Sequence, residues 1–178
     1  MLRDQIKTIT QEKLVSTLTG RNFHSLPKLN KVVLNYRISD TKESSEALAA
    51  AEVELTAIAG QKPSLRKAKK SIASFKVREN DPMALKVTLR GARMYDFVEK
   101  FFNLVLPRLR DFKGLPTTAF DNAGNYNLTI KDQTYFPEID LDKVTKIRPL
   151  QITLGISASS KEEAKMLLSA LGFPFEKN

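Results

Sequence analysis

The sequence contains no cysteine, which removes disulfides, thiolate zinc sites and cysteine nucleophiles and permits a reducing compartment. Histidine occurs once, as His24 in the loop-like stretch NFHSLP, where no acid or nucleophile stands beside it. That argues for a structural or exposed role rather than a catalytic one. The seven glycines are scattered singly, so neither common phosphate-binding glycine pattern is present. Ser71 follows Lys70, but adjacent residues of a strand or loop point apart, which makes the two a poor nucleophile and base. Long apolar runs are missing too. The start, MLRDQIKTITQEKLVSTL, mixes charges with isolated apolar residues and reads as neither a signal peptide nor a membrane span. Asp4 and Glu12 argue against a transit peptide and against a basic membrane-surface helix.

What the chain has in excess is positive charge. Twenty-nine lysines and arginines face twenty acids over 178 residues, a net charge of +9 and a pI near 9.7, in a composition otherwise ordinary for one folded domain. Such an excess points to a polyanionic partner, nucleic acid before an acidic membrane. It is densest in residues 61–78, QKPSLRKAKKSIASFKVR, with seven bases and no acid. Pro63 and the lack of an apolar face predict short strands joined by an exposed loop. A solvated loop is the plain reading, but a run without acids in a chain that elsewhere mixes signs favours phosphate contact.

Periodicity supplies the framework. Ile6, Ile9, Leu14 and Leu18 predict a helix over 3–18. After Pro27, Val32, Leu34, Tyr36 and Ile38 alternate with Lys31, Val33, Asn35 and Arg37 as a strand. Asp40 and Glu43 resemble a capping box, and Ala47, Leu48, Ala51, Leu55 and Ile58 predict a helix over 42–59. A second strand sets Leu85, Val87 and Leu89 against Lys86, Thr88 and Arg90. Met94, Phe97, Val98, Phe101, Phe102 and Val105 form the core face of a helix that Pro107 kinks or ends. Residues 110–124 read as a loop, NYNLTIK as a strand, and LQITLGIS as a strand with Gln151 and Thr153 on its polar side. Ser160 with Glu163 caps a last helix that places Ala164, Leu167, Leu168 and Leu171 inward. Short two-faced strands predict an α+β fold, a mostly antiparallel sheet with helices packed on one face and the other face open.

Those polar strand sides, Lys31, Asn35 and Arg37, Lys86, Thr88 and Arg90, and Gln151 and Thr153, match what A-form RNA displays in its wide minor groove: phosphates and 2′-hydroxyls. A solvated sheet face alternates in the same way. Asp132 to Asp142 holds four carboxylates and no base, so phosphate would repel it and it should face solvent or a basic protein. A metal site there lacks fixed ligand geometry. An RNA-processing enzyme would have to find its acid and base in the same stretch, and an RNA-binding module needs neither.

Several blocks, IAGQKPSLRKAKKSIASFKVRENDP, KVTLRGARMYDFVEKFF, PRLRDFKGLP, FDNAGNYNLTIKDQTYFPEID and ALGFPFEK, occur in an order that resembles the bacterial-type large-subunit ribosomal protein five family, from about residue 27 onward. The resemblance implies a curved antiparallel sheet, a structural rather than enzymatic role without cofactors, and a place in the central protuberance of the large ribosomal subunit. The partners it implies are 5S rRNA, large-subunit rRNA, peptidyl-site tRNA, neighbouring central-protuberance proteins and a small-subunit head protein, with no membrane. Its 5S rRNA surface corresponds to Asn35, Gln61, Lys62, Thr88 and Arg90, which joins the strand-side candidates Lys31, Arg37, Lys86 and Thr153. Its protruding loop, at about 66–82, carries Arg66, Lys67, Lys69, Lys70, Ser71, Ser74, Lys76 and Arg78 towards tRNA or rRNA. Its protein bridge includes Tyr135, Glu138, Asp140 and Asp142. The chain departs from the family where Tyr36, Arg37, Ile38 and Ser39 replace a usual Met-Gly-x-Gly and where Ala84 replaces a common glycine. These departures tilt the expected location from the bacterial cytoplasm towards an organellar ribosome.

Overall fold

A computed structural model describes residues 14, 22, 25–38, 45–110, 112–144 and 146–176. Five strands, β1 (Lys28–Arg37), β2 (Ser64–Lys67), β3 (Pro82–Leu89), β4 (Tyr126–Ile130) and β5 (Leu150–Ser157), form an open antiparallel sheet in the order β2-β3-β1-β5-β4. Among the described residues, three α-helices with defined bounds accompany it: α1 (Ser45–Ala59), α2 (Gly91–Lys100) and α3 (Lys161–Ala170). This is the α+β class that the short two-faced strands predict. The predicted helix over 3–18 lies outside the described residues except for Leu14, which is helical and buried, and His24 and the Asp40–Glu43 cap lie outside them as well.

The chain divides into two compact units, Met1–Val32 with Arg90–Leu128 and Thr153–Asn178, and Val33–Leu89 with Thr129–Ile152. In the second unit, Leu34 and Tyr36 of β1 and Ile38 just beyond it are buried, as are Leu85, Val87 and Leu89 of β3. Ala51, Leu55 and Ile58, one stripe of the alanine-rich α1, are buried too, and α1 packs against β3. Alanine gives this helix its high intrinsic propensity, and the four-residue recurrence gives it a side to bury.

In the first unit, α2 buries Met94, Phe97 and Val98. It then widens into a π-helical turn, Phe101–Val105, in which the Leu106 N–H donates to Phe101 O. The turn ends in a 3-10 segment, Leu106–Arg108. Pro107 has no N–H to donate and its ring crowds the preceding turn, so the regular helix loosens ahead of it. Phe102 is only half-buried, its ring edge-on to Phe173 at 4.4 Å. The loop before β4 is closed by Asp121, which accepts from Ala123 N, Asn125 N and Asn125 Nδ2. The Asn125 amide foremost holds its carboxyl below the usual carboxylate range. At α3, Ser160 Oγ accepts from Glu163 N (3.3 Å), while Glu163 Oε2 accepts from Ser159 N (3.0 Å). The predicted capping box is thus present, with its return bond made to the residue before the cap. Leu171 stays half-buried, whereas Ala164, Leu167 and Leu168 are inside.

Candidate nucleic-acid interface

In the second unit, Asn35, Lys86 and Thr88 are half-exposed and Arg37 and Gln151 exposed, although neighbouring Leu34, Leu85, Val87 and Leu89 are at most 2% exposed. Asn35 Nδ2 donates to Gln151 Oε1 at 3.3 Å, pairing two amides across β1 and β5. The remaining Asn35 oxygen and Gln151 amide hydrogens suit an outside partner. Gln61 is half-exposed, and Lys62 lies 3.4 Å from Glu52 with its own side chain 84% exposed. So exposed an ion pair contributes little, and exchanging it for a phosphate costs little.

In the first unit, the Lys31 stem crosses the backbone of Gly155, where an added Cβ would meet Lys31 Cγ at 2.7 Å. The absence of a side chain at Gly155 gives the lysine its path. Arg90 Nη1 donates to Asn30 Oδ1 at 3.1 Å, and Thr153 Oγ1 donates to Asn127 Oδ1 at 2.7 Å. Asn30 and Asn127 are partners that the alternation alone does not single out.

The basic run folds as an ordered tongue. β2 pairs with β3 from Ser64↔Lys86 to Lys67↔Pro82, with an irregularity between Arg66 and Lys67. Ala68 N then donates to Asp81 O, Asn80 N to Ala68 O, and Ile72 and Val77 bridge antiparallel through bonds of 2.9 and 3.1 Å. A 3-10 turn, Ala73–Phe75, makes the tip, and Lys76 follows with φ 52. Ser71 Oγ accepts from Glu79 N, so that hydroxyl braces the tongue. Arg66, Lys67, Lys69, Lys70, Ser71, Ser74, Lys76 and Arg78 are all exposed, as the sequence predicts.

The acidic stretch is shaped by two 3-10 turns, Gln133–Tyr135 and Leu141–Lys143, capped by Asp132 and Asp140. Phe136 and Ile139 are buried anchors. Glu138, Asp140 and Asp142 are exposed, and Tyr135 is half-buried. A narrow cleft of about 170 Å³ lies between this stretch and α1, lined by residues including Val53, Ala57 and Val144. Among the described residues, no three His, Asp or Glu side chains gather closely enough to hold a metal. No helix of the described residues is long and apolar enough to cross a membrane.

Sequence reasoning misses a buried polar cluster in this unit. Tyr36 OH donates to Glu54 Oε2 at 2.5 Å, and Arg148 Nη1 lies 3.8 Å from the same oxygen. Burial first, then the bond to Glu54, pushes the Tyr36 hydroxyl well above the usual tyrosine range. Gln133 clamps the neighbouring backbone, accepting from Arg148 N and donating to Lys146 O. The signal available was Glu54 itself, a carboxylate on the stripe shared with Ala51, Leu55 and Ile58.

Positively charged strand sides and an exposed basic tongue on an α+β scaffold are the features of a protein built to meet a polyanion, nucleic acid foremost. Comparison with known sequences makes this specific: residues 22–78 match the family model described as ribosomal protein L5, and residues 82–175 match the model of that ribosomal family's C-terminus. The chain is 49% identical to the large ribosomal subunit protein uL5 of Thermoanaerobacter sp. (strain X514) over 176 residues, 99% of this chain and 98% of that one. It is 49% identical over 165 residues to its namesake from Fusobacterium nucleatum, covering 93% and 90% of the two chains. With that of Caldanaerobacter subterraneus the identity is 46% over 176 residues, covering 99% and 98%. The chain belongs to the ribosomal protein L5 (uL5) family. It is accordingly a structural constituent of the large ribosomal subunit, not an enzyme, and its partners are rRNA and other ribosomal components.

Proposed function

We propose that the polar strand sides hold 5S rRNA and touch large-subunit rRNA in the central protuberance, that the basic tongue meets peptidyl-site tRNA, and that Tyr135 to Asp142 bridges to a small-subunit head protein. One observation carries the reading: Asn35, Lys86 and Thr88 stay accessible while the alternate residues of the same strands are buried. Amide, hydroxyl and ammonium groups in that order suit 2′-hydroxyls and phosphates. The exposed carboxylates Glu138, Asp140 and Asp142 repel phosphate and favour a basic protein surface. The relatives above are bacterial, which supports a bacterial ribosome and gives the organellar reading of the lost glycines no support.

The test is 5S rRNA binding by the full chain across salt concentrations. Each neutralised phosphate contributes a log-log slope of about −0.7 to −0.9. Asn35→Ala and Thr88→Ala are each expected to weaken binding by about 1–3 kcal/mol where their RNA partners are left unsatisfied. A flat salt response, or unchanged affinity in the double variant, refutes the assignment.

A further inference from the structure

The tongue carries, among its cations, an aromatic ring that the folded chain does not bury. Phe75 is 75% exposed at the tip, and Ile72, one turn earlier, is 47% exposed. The tip is held from both sides, by the Ile72–Val77 bridge and by the bond from Lys76 N to Ala73 O at 3.0 Å. Lys76 occupies the left-handed region at φ 52, an arrangement a non-glycine residue keeps only where its surroundings enforce it. On the same tongue, Ser71, Ala73, Lys76, Val77, Arg78 and Asp81 line an open concavity of about 840 Å³. Its lining offers a hydroxyl, two cations and the apolar sides of Ala73 and Val77. The Asp81 carboxylate on the same rim accepts from Arg78 N at 2.8 Å.

We propose that the tongue tip is a nucleotide-stacking site, in which Phe75 lies against an accessible base face of looped or unpaired RNA while Lys76 and Arg78 meet the flanking phosphates. This rests on the reading that the tongue contacts RNA, and it names the RNA feature recognised. Charge alone selects any polyanion, but the ring narrows the choice. A continuous A-form duplex keeps its base faces inside the stack and presents phosphates and 2′-hydroxyls, from which a phenyl group gains little. An unpaired nucleotide offers a π-face, and cations interleaved with an exposed ring are the recurring device of surfaces that bind single strands. Because the backbone of the tip closes its own hydrogen bonds, the ring is presented without an ordering step on binding.

The chain contains no tryptophan, so Phe75→Trp places a single indole reporter at the tip. The full chain is titrated with an RNA hairpin carrying an unpaired loop and with a long duplex, whose terminal base faces are few among its phosphates, at equal phosphate concentration. The hairpin is expected to quench the indole and the duplex to leave it bright. The wild type should prefer the hairpin, and Phe75→Ala and Phe75→Leu should each weaken hairpin binding by roughly 5- to 150-fold with the salt slope unchanged. Lys76→Ala with Arg78→Ala should instead lower the slope by roughly 0.7–0.9 per lost phosphate contact and leave the hairpin preference intact. Equal affinity for hairpin and duplex, or full preference retained by Phe75→Leu, overturns the stacking site, while a salt slope lowered by Lys76→Ala with Arg78→Ala keeps the tongue as an RNA contact. Absence of salt-dependent RNA binding overturns both. Displacement of the hairpin from the tip by an acidic peptide at equal charge concentration would assign the tip to a protein partner instead.

Discussion

Removing the carboxylate of Glu54 tests the buried cluster most sharply. Arg148 and Glu54 have side chains only 5% and 10% exposed, and the Nε and Nη1 atoms of Arg148 make no hydrogen bond. The Glu54 carboxylate, 3.8 Å away, is thus the near counter-charge of a guanidinium cut off from water. Glu54→Ala leaves that charge buried without it, a change that costs about 3–5 kcal/mol, and takes the acceptor from the Tyr36 hydroxyl, about 1–3 kcal/mol. The two losses share one site and are not additive, so about 4 kcal/mol is expected in all. Domains of this size have about 5–15 kcal/mol to lose, and a midpoint falls about 2–4 °C per kcal/mol, giving a drop of roughly 8–16 °C. Urea and thermal unfolding followed by circular dichroism measure both. Replacing Glu54 and Arg148 together by Met removes both charges and leaves only the Tyr36 hydroxyl without its acceptor, so it should cost about 1–3 kcal/mol. A single variant within about 1 kcal/mol of wild type, or a double variant as damaged as the single one, would refute the cluster as a coupled charge pair.

Two further outcomes follow from the first unit. Gly114 has φ +116, and an added Cβ would lie 2.6 Å from the Glu176 backbone, so Gly114→Ala should cost about 2–4 kcal/mol in chemical denaturation by parting the Leu115–Phe175 bridge; a loss under about 0.5 kcal/mol would contradict that packing. Tyr126, fully buried and donating to Pro116 O at 3.0 Å, has its phenol pushed up by burial to about 12, so its neutral form contributes stability that is complete below the ordinary value near 10 and is lost as pH rises towards 12. Absorbance titration should show this tyrosinate appearing late, and Tyr126→Phe should flatten the alkaline fall in stability; an identical fall in the variant would refute the assignment.

The strands were legible wherever one side is buried and the other is not. Lys86 and Thr88 between Leu85, Val87 and Leu89 leave only one register for β3, and the same holds for Gln151 and Thr153 in β5. The exposure of the basic tongue followed from Pro63 and the lack of an apolar face in residues 61–78. Its internal order was less visible, because nothing in Ile72 or Val77 announces a bridge and Lys76 is not a residue expected at positive φ. The π-helical turn also escaped, since Pro107 signals a disturbance without fixing its form. Tyr36 alternates like any apolar strand residue, and Arg148 lies in an unpatterned segment far along the chain. Their meeting at Glu54 is a product of tertiary packing that no local period encodes. Asn30 and Asn127, likewise, acquire meaning only through Arg90 and Thr153.

The way the tongue closes upon itself bears on how such a protein changes over generations. From Ala68 to Asp81 many amides and carbonyls are satisfied inside the projection, so its reach and outline depend little on which head groups decorate it. Lysine can drift to arginine, or a cation can move by one position, while the scaffold keeps its form. A lineage can thus adjust the tongue to an altered partner through single codons, without first relearning how to build the limb.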